Sequence, residues 1–253
     1  MIQKFTTRAA VAALFLGLAC LLPTTGALAE NASNPLAKVK NTDLRYQYFD
    51  LDDGRINDAF IDGAFMAHDT LKIKYELHYW ETDLSGSSET GLESSTIKAI
   101  YFPYETKVEG RPYVGYRVAL GLDWIVDLSD DDKEAIGSGS DVLGPFAGIA
   151  MAYESGLTFI PLIQYFTEYD GDPVDQIALR VITLQPLPEK KWLKLDAKLP
   201  VDRENDNAIP ATVEVQLGKT FREGLGAYVD LLAGVGSDRP YNWGLGAGVR
   251  FSY

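Results

Sequence analysis

The sequence predicts an all-β fold: a single antiparallel, up-and-down transmembrane β-barrel of about twelve strands. Three observations carry this. Segment after segment alternates apolar and polar residues with period two, as a strand with lipid on one face and a wet interior on the other must. Short turns alternate with longer, acidic loops along the chain. The chain opens on an export signal, yet no later stretch is apolar for long enough to cross a bilayer as a helix.

The N-terminal region divides in two. Lys4 and Arg8 precede an apolar run from Ala9 to Leu22, and Ala27-Leu28-Ala29 forms a small-x-small cleavage site before Glu30. Residues 1–29 therefore read as a secretory signal peptide. Cys20 sits after Gly17-Leu18-Ala19, a poor match to a lipidation motif, and is assigned to the apolar run. It is the only cysteine, so the mature chain can hold no disulfide or cysteine-based metal cluster. Residues 30–42 lack periodicity and read as a short, flexible periplasmic leader.

The barrel is expected over 43–253. Its strands fall at about 43–51, 59–67, 71–83, 94–105, 113–127, 142–153, 157–169, 176–187, 191–202, 211–221, 225–235 and 243–253. Most are long enough for a tilted strand to cross a bilayer, which takes about 9–11 residues. The third places Leu71, Ile73, Tyr75, Leu77 and Tyr79 on one face and Lys72, Lys74, Glu76 and His78 on the other. The fifth opposes Val114, Tyr116, Val118, Leu120, Leu122 and Trp124 to Gly115, Arg117, Ala119, Gly121 and Asp123. The ninth sets Leu193, Leu195, Ala197 and Leu199 against Lys194, Asp196 and Lys198. The sixth carries Gly144, Gly148, Ala150 and Ala152 on its inner face, which leaves space along one wall. Pro161, inside the seventh, cannot donate to a ladder and predicts a bulge or break. Trp124, Tyr165, Tyr169 and Trp243 near one interface, with Tyr153, Phe251 and Tyr253 near the other, read as aromatic girdles. The last strand, Trp243 to Tyr253, resembles the closing strand of Gram-negative outer-membrane barrels. That resemblance implies recognition by the barrel-assembly machinery.

Tight connections at 68–70, 154–156, 189–190 and 222–224, with 106–112 slightly longer, mark the periplasmic side. The loops at 52–58, 84–93, 128–141, 170–175, 203–210 and 236–242 hold sixteen acidic and four basic residues. With Lys4 and Arg8 removed, the formal charge of −13 becomes −15, and most of it lies in these loops. Nucleic-acid binding, which needs a basic footprint, is excluded. Asp130-Asp131-Asp132 with Glu134 and Asp141 is the densest acidic run. Asp170-Gly171-Asp172-Pro173-Val174-Asp175 is the best local candidate for a divalent cation, although it does not make a full twelve-residue calcium loop. Outer-membrane lipid and lipopolysaccharide are the expected surroundings.

An unpaired charge facing lipid costs about 2–4 kcal/mol at the midplane, so the charged face of each strand must point inward. The expected lumen lining is Arg45, Lys72, Lys74, Lys98, Arg117, Arg180, Lys194, Lys198 and Arg250, with Asp62, Glu76, Asp123, Glu168, Asp196, Glu214 and Asp230 facing them, and His78 beside Glu76. Two readings compete: a narrow, charge-lined channel for passive uptake of small solutes, and a non-transporting structural or surface-interaction barrel closed by paired charges. A barrel hydrolase comes third. His78 near Glu76 could serve as a base, but the residue two positions on is Trp80, where barrel phospholipases and lipid A deacylases place serine. There is also no G-x-S-x-G elbow. No catalytic, cofactor-binding or metal-ligating residue is assigned.

The opening strand Asp43-Leu44-Arg45-Tyr46-Gln47-Tyr48 with its Asp52-Asp53-Gly54 loop, the stretch Leu71 to Trp80 and the ending Gly234 to Tyr253 resemble the barrels grouped with the MetA pathway of phenol degradation. Such membership implies transport of small, often apolar or aromatic compounds across the outer membrane. It carries over no functional residue.

Overall fold

The computed structural model describes residues 31–130, 133 and 135–253, except 108–112. The proposed signal peptide lies outside the described residues, as do Asp131, Asp132 and Glu134 of the densest acidic run. Twelve strands follow in chain order: β1 Asn41–Asp50, β2 Arg55–His68, β3 Leu71–Thr82, β4 Glu89–Lys107, β5 Tyr113–Asp127, β6 Ser140–Tyr153, β7 Thr158–Gly171, β8 Asp175–Leu187, β9 Lys191–Asp202, β10 Ala211–Arg222, β11 Leu225–Val235 and β12 Trp243–Ser252. Each pairs antiparallel with its chain neighbours, and β1 pairs with β12, so the sheet closes on itself. Closure leaves no backbone edge unpaired, which a sheet in hydrocarbon requires.

The alternation puts the expected faces where the register argument places them. Leu44, Leu120, Leu122, Ile163, Leu179, Leu199, Leu217, Leu231 and Leu245 are all exposed on the outer wall. Asp43, Asp62, Lys72, Asp123, Lys194, Asp196, Asp230 and Arg250 are buried inside it. Trp124, Tyr165, Tyr169, Trp243, Phe251 and Tyr253 are exposed, and Trp124 Nε1 donates to the Tyr169 hydroxyl at 2.6 Å.

Three details differ from the sequence reading. β2 and β4 begin at Arg55 and Glu89, earlier than expected, so the first two long loops are shorter than they read. Pro161 differs only in part: of the bulge or break expected, the break appears, as the pairings toward β6 lapse and resume in the same register, while the β7–β8 ladder runs through it opposite Val181 without a bulge. A missing N–H deletes hydrogen bonds to one neighbour without inserting a residue. The space expected along β6 is filled. A side-chain carbon added at Gly148 would lie 2.0 Å from Leu162 Cδ2, and one at Gly144 would lie 2.8 Å from Gln164 Nε2. Larger neighbours on β7 occupy the room that the small β6 residues leave.

The turn between β8 and β9 illustrates local control. Glu189 and Lys190 both adopt positive φ, 60° and 59°, and the Lys191 N–H donates to the Pro188 carbonyl. This is the geometry of a two-residue I′ hairpin, whose twist suits the flanking strands.

Candidate functional site: a layered lumen

The leader does not hang free. Asn31 and Asn34 side chains accept the Ser33 and Leu36 N–H groups, each at 2.8 Å, and fold residues 31–37 into consecutive turns. Asn side chains mimic a backbone turn in this way. The turns carry Leu36 and Ala37 into the mouth at the end where both termini lie, the end expected to face the periplasm, and Leu36 is 1% exposed there. Lys72 Nζ donates to the carbonyls of Pro35 (3.2 Å) and Ala37 (2.7 Å), and Arg117 Nη1 donates to that of Leu36 at 2.7 Å. Arg250 Nη1 reaches Ser33 Oγ (2.9 Å) and Asn31 Oδ1 (3.2 Å). Lys38 pairs with Glu105 at 2.8 Å, and Glu105 also takes Arg117 Nη2 at 2.6 Å. Three of the predicted lumen cations therefore hold the leader.

Leu36 enters an apolar cluster. Ile100, Phe102, Ala119, Ala150, Ile160, Leu162 and Ile182 surround it from five strands, with Met66 and Phe146 at the margin. Nearby, Trp192 lies over Gly218 and Tyr228 over Gly248, each ring within 2.4 Å of where a β-carbon would sit. Glycine is required at these two places because a ring from the neighbouring strand lies on the backbone.

Beside this cluster, the seam between β1 and β12 is clasped. Asp43 and Arg250 stand directly opposite on the ladder and pair through Nε (3.0 Å) and Nη2 (2.6 Å). Asn41 and the Tyr228 hydroxyl donate to the same carboxylate, both at 2.8 Å. A chain of hydrogen bonds then runs from the leader into the wall. Ser33 Oγ donates to Gln216 Oε1, Gln216 Nε2 donates to Asp230 Oδ1, and Asp230 Oδ2 accepts Arg45 Nη2.

The next layer is charged, and its pairs are mostly not the cross-strand neighbours. Asp62 faces Asp43 and Glu76, Lys74 faces Lys98, Arg180 faces Lys198, and Glu214 faces Asp196. Like charges opposite one another are unfavourable, so pairing runs along strands and diagonals. Lys74 takes Glu76 at 3.3 Å, Arg180 takes Asp196 at 2.7 Å, and Lys194 takes Glu214 at 2.7 Å. Lys98 with Asp123, at 2.8 Å, is a direct cross-strand pair. Glu168 accepts the Val174 N–H, which stitches a loop rather than a cation. Asp62 and Lys198 stand outside these ion pairs.

His78 stacks on Phe60 with ring centroids 4.4 Å apart, its Nδ1 2.9 Å from Asp58 and its Nε2 3.8 Å from Glu76. Both ring nitrogens face carboxylates, so neither is aimed at a hydroxyl that it could activate. The sequence reading paired His78 with Glu76 alone and missed Asp58, although Asp58 shares its face with Asp62. It also missed Asp43, which shares a face with Arg45. Glu105 was hidden by a register shift between Tyr101 and Tyr104, which turns an odd-numbered residue onto the face of Lys98 and Ile100.

Two recesses sit at the ends of the barrel. One, of about 410 Å³, lies at the periplasmic mouth between the leader and the last strand, and the other, of about 180 Å³, lies at the opposite rim beside Asp52 and Arg239. Among the described residues no three of His, Cys, Asp and Glu converge to hold a metal. In the candidate cation loop, Asp175 faces Arg203 at 3.4 Å and Asp170 accepts its neighbour's N–H.

No protein-family model matches the sequence and no curated protein does, so membership of the MetA-pathway group is unsupported. Solved structures do match. The COG4313 outer membrane channel from Pseudomonas putida F1 aligns with a TM-score of 0.65 at 9% identity, covering 85% of this chain and 96% of that one. The NanC porin aligns at 0.61 and 11%, covering 84% and 98%, and the KdgM porin at 0.58 and 10%, covering 84% and 99%. At such identities the likeness is one of architecture: this chain has the closed twelve-strand fold of bacterial outer-membrane porins and channels.

Proposed function

We propose that the protein is a narrow outer-membrane channel for passive movement of small solutes, held shut at its periplasmic end by its own leader. One observation carries this reading. The space inside the wall at that end is occupied by a segment that is not a strand, residues 31–39, gripped by Lys72, Arg117 and Arg250 through a handful of hydrogen bonds. The likeness in fold to proteins described as porins and channels points the same way. When the leader leaves, the remaining lumen is a charged, hydrated passage whose residues tune what passes.

Planar-bilayer recording tests this on the purified full chain and on a variant lacking residues 31–39. The full chain should show small, infrequent openings, and the shortened one a larger and steadier conductance. Silence from both, with heat-resistant folding intact, would leave the non-transporting barrel as the answer.

A further inference from the structure

The charged layer is unevenly compensated. Arg180 holds Asp196 through both Nε (2.8 Å) and Nη2 (2.7 Å), and Lys194 is the second cation on that carboxylate at 3.6 Å. Lys98 holds Asp123, which also accepts Gln164 Nε2 at 2.9 Å. Lys198 sits directly opposite Arg180 on the ladder. Phe166, on which Lys198 lies, and Gln164, which donates to the carboxylate that Lys98 holds, flank Gly144 together, so the two lysines share this level of the lumen. Yet Lys198 has no carboxylate within ion-pair distance among the described residues. Its ammonium lies instead 4.9 Å above the ring of Phe166, while Lys98 lies 5.8 Å from the ring of Phe146.

An ammonium inside the lumen with no ion-pair partner, set opposite another cation on the ladder, is unfavourable, and one ring face offsets little of that. The missing partner is an anion. From this arrangement we infer that Lys198, with Arg180 and Lys98 behind it, forms an anion subsite in mid-lumen, taking a small oxyanion of the carboxylate class. Arg180 and Lys98 already hold Asp196 and Asp123, so the group left for an incoming carboxylate is the Lys198 ammonium. Two lumen carboxylates stay outside the ion pairs: Asp62 lies on β2 between the strands of Arg45 and Lys74, and Glu168 is taken up by the Val174 N–H, so neither pairs with Lys198. This inference rests on the channel reading for its biological meaning, because a subsite at this depth serves a solute in transit.

Two measurements separate the subsite from the channel. In a bilayer under a potassium acetate gradient, the leader-deleted barrel should favour acetate over potassium, and Lys198→Gln should lower that preference by roughly tenfold, with Lys198→Arg retaining it. Independently of conduction, the full-length detergent-folded barrel should broaden the carbon-13 line of labelled acetate. Lys198→Gln should abolish the broadening and Lys198→Arg restore it. Heat-modified mobility checks that each variant is folded. Broadening that is equal in the parent and Lys198→Gln overturns the subsite, as does an unchanged acetate preference. Lysine-dependent broadening in a barrel that never conducts would uphold the subsite and reject the channel.

Discussion

The periplasmic and central parts of the lumen use one wall pattern for opposite ends. Both are lined by the inward residues of the same strands. Near the periplasm those residues are Ile100, Phe102, Ile160 and Ile182, and the space among them is filled by Leu36. Further in they are Lys74, Lys98, Arg180 and Asp196, which pair with one another along diagonals. The apolar part is sealed by a piece of chain that is not a strand. The charged part is braced by the strands themselves and can stay wet. On the channel reading, closure and selectivity therefore sit on different residues, and they should be separable by substitution.

The sharpest way to break this comparison is to remove the plug. Deleting residues 31–39 should raise single-channel conductance severalfold while leaving the twelve-strand circular dichroism signature unchanged; a change in the spectrum would mean that the leader belongs to the fold. The next largest effect concerns the seam. Arg250→Met leaves Asp43 buried without its partner and should cost about 3–5 kcal/mol in unfolding, read from urea denaturation in lipid. It should also release the leader, because Arg250 holds Asn31 and Ser33. On the outer wall, Leu122→Arg should cost about 2–4 kcal/mol of membrane stability with no change in ion selectivity. Arg117→Gln and Lys74→Gln contrast the two parts directly. The first loses its hydrogen bond to Leu36 and should increase opening frequency, whereas the second should shift ion selectivity with opening frequency unchanged. Identical effects from the two would deny any division of labour.

The smallest effect is expected at the far rim. The Asp238 carboxylate accepts the Ile209 N–H at 2.9 Å, and that hydrogen bond, with one from Ser237, holds its pKa below the ordinary 3.8. A depressed carboxylate stabilises the contact above its unfolded pKa and loses it as pH falls through the lower folded value. Proteolysis of this loop should thus rise only at pH below about 3.8, and Asp238→Asn should remove that dependence. No change in protease sensitivity across that range would show that the contact does not hold the loop.

The sequence by itself determined the barrel, its strand count, the wall's two faces and the side on which loops are long. Each of these follows from period-two alternation and from the cost of a charge in lipid, both of which are local and one-dimensional. Leu245 and Arg250 declare their faces without any partner being known. Only the tertiary structure decided what the inward residues do. Arg180 and Lys198 read alike in the sequence, yet the register of the β8–β9 pair sets them opposite each other and gives Asp196 to one of them. Glu105 changes face through a single shift of register. Leu36 belongs to an aperiodic leader, and its burial depends on a cluster drawn from β4 to β8 that exists only once the sheet has closed. Pairing, filling and plugging depend on register and on distances across the lumen, and no pattern along the chain encodes these.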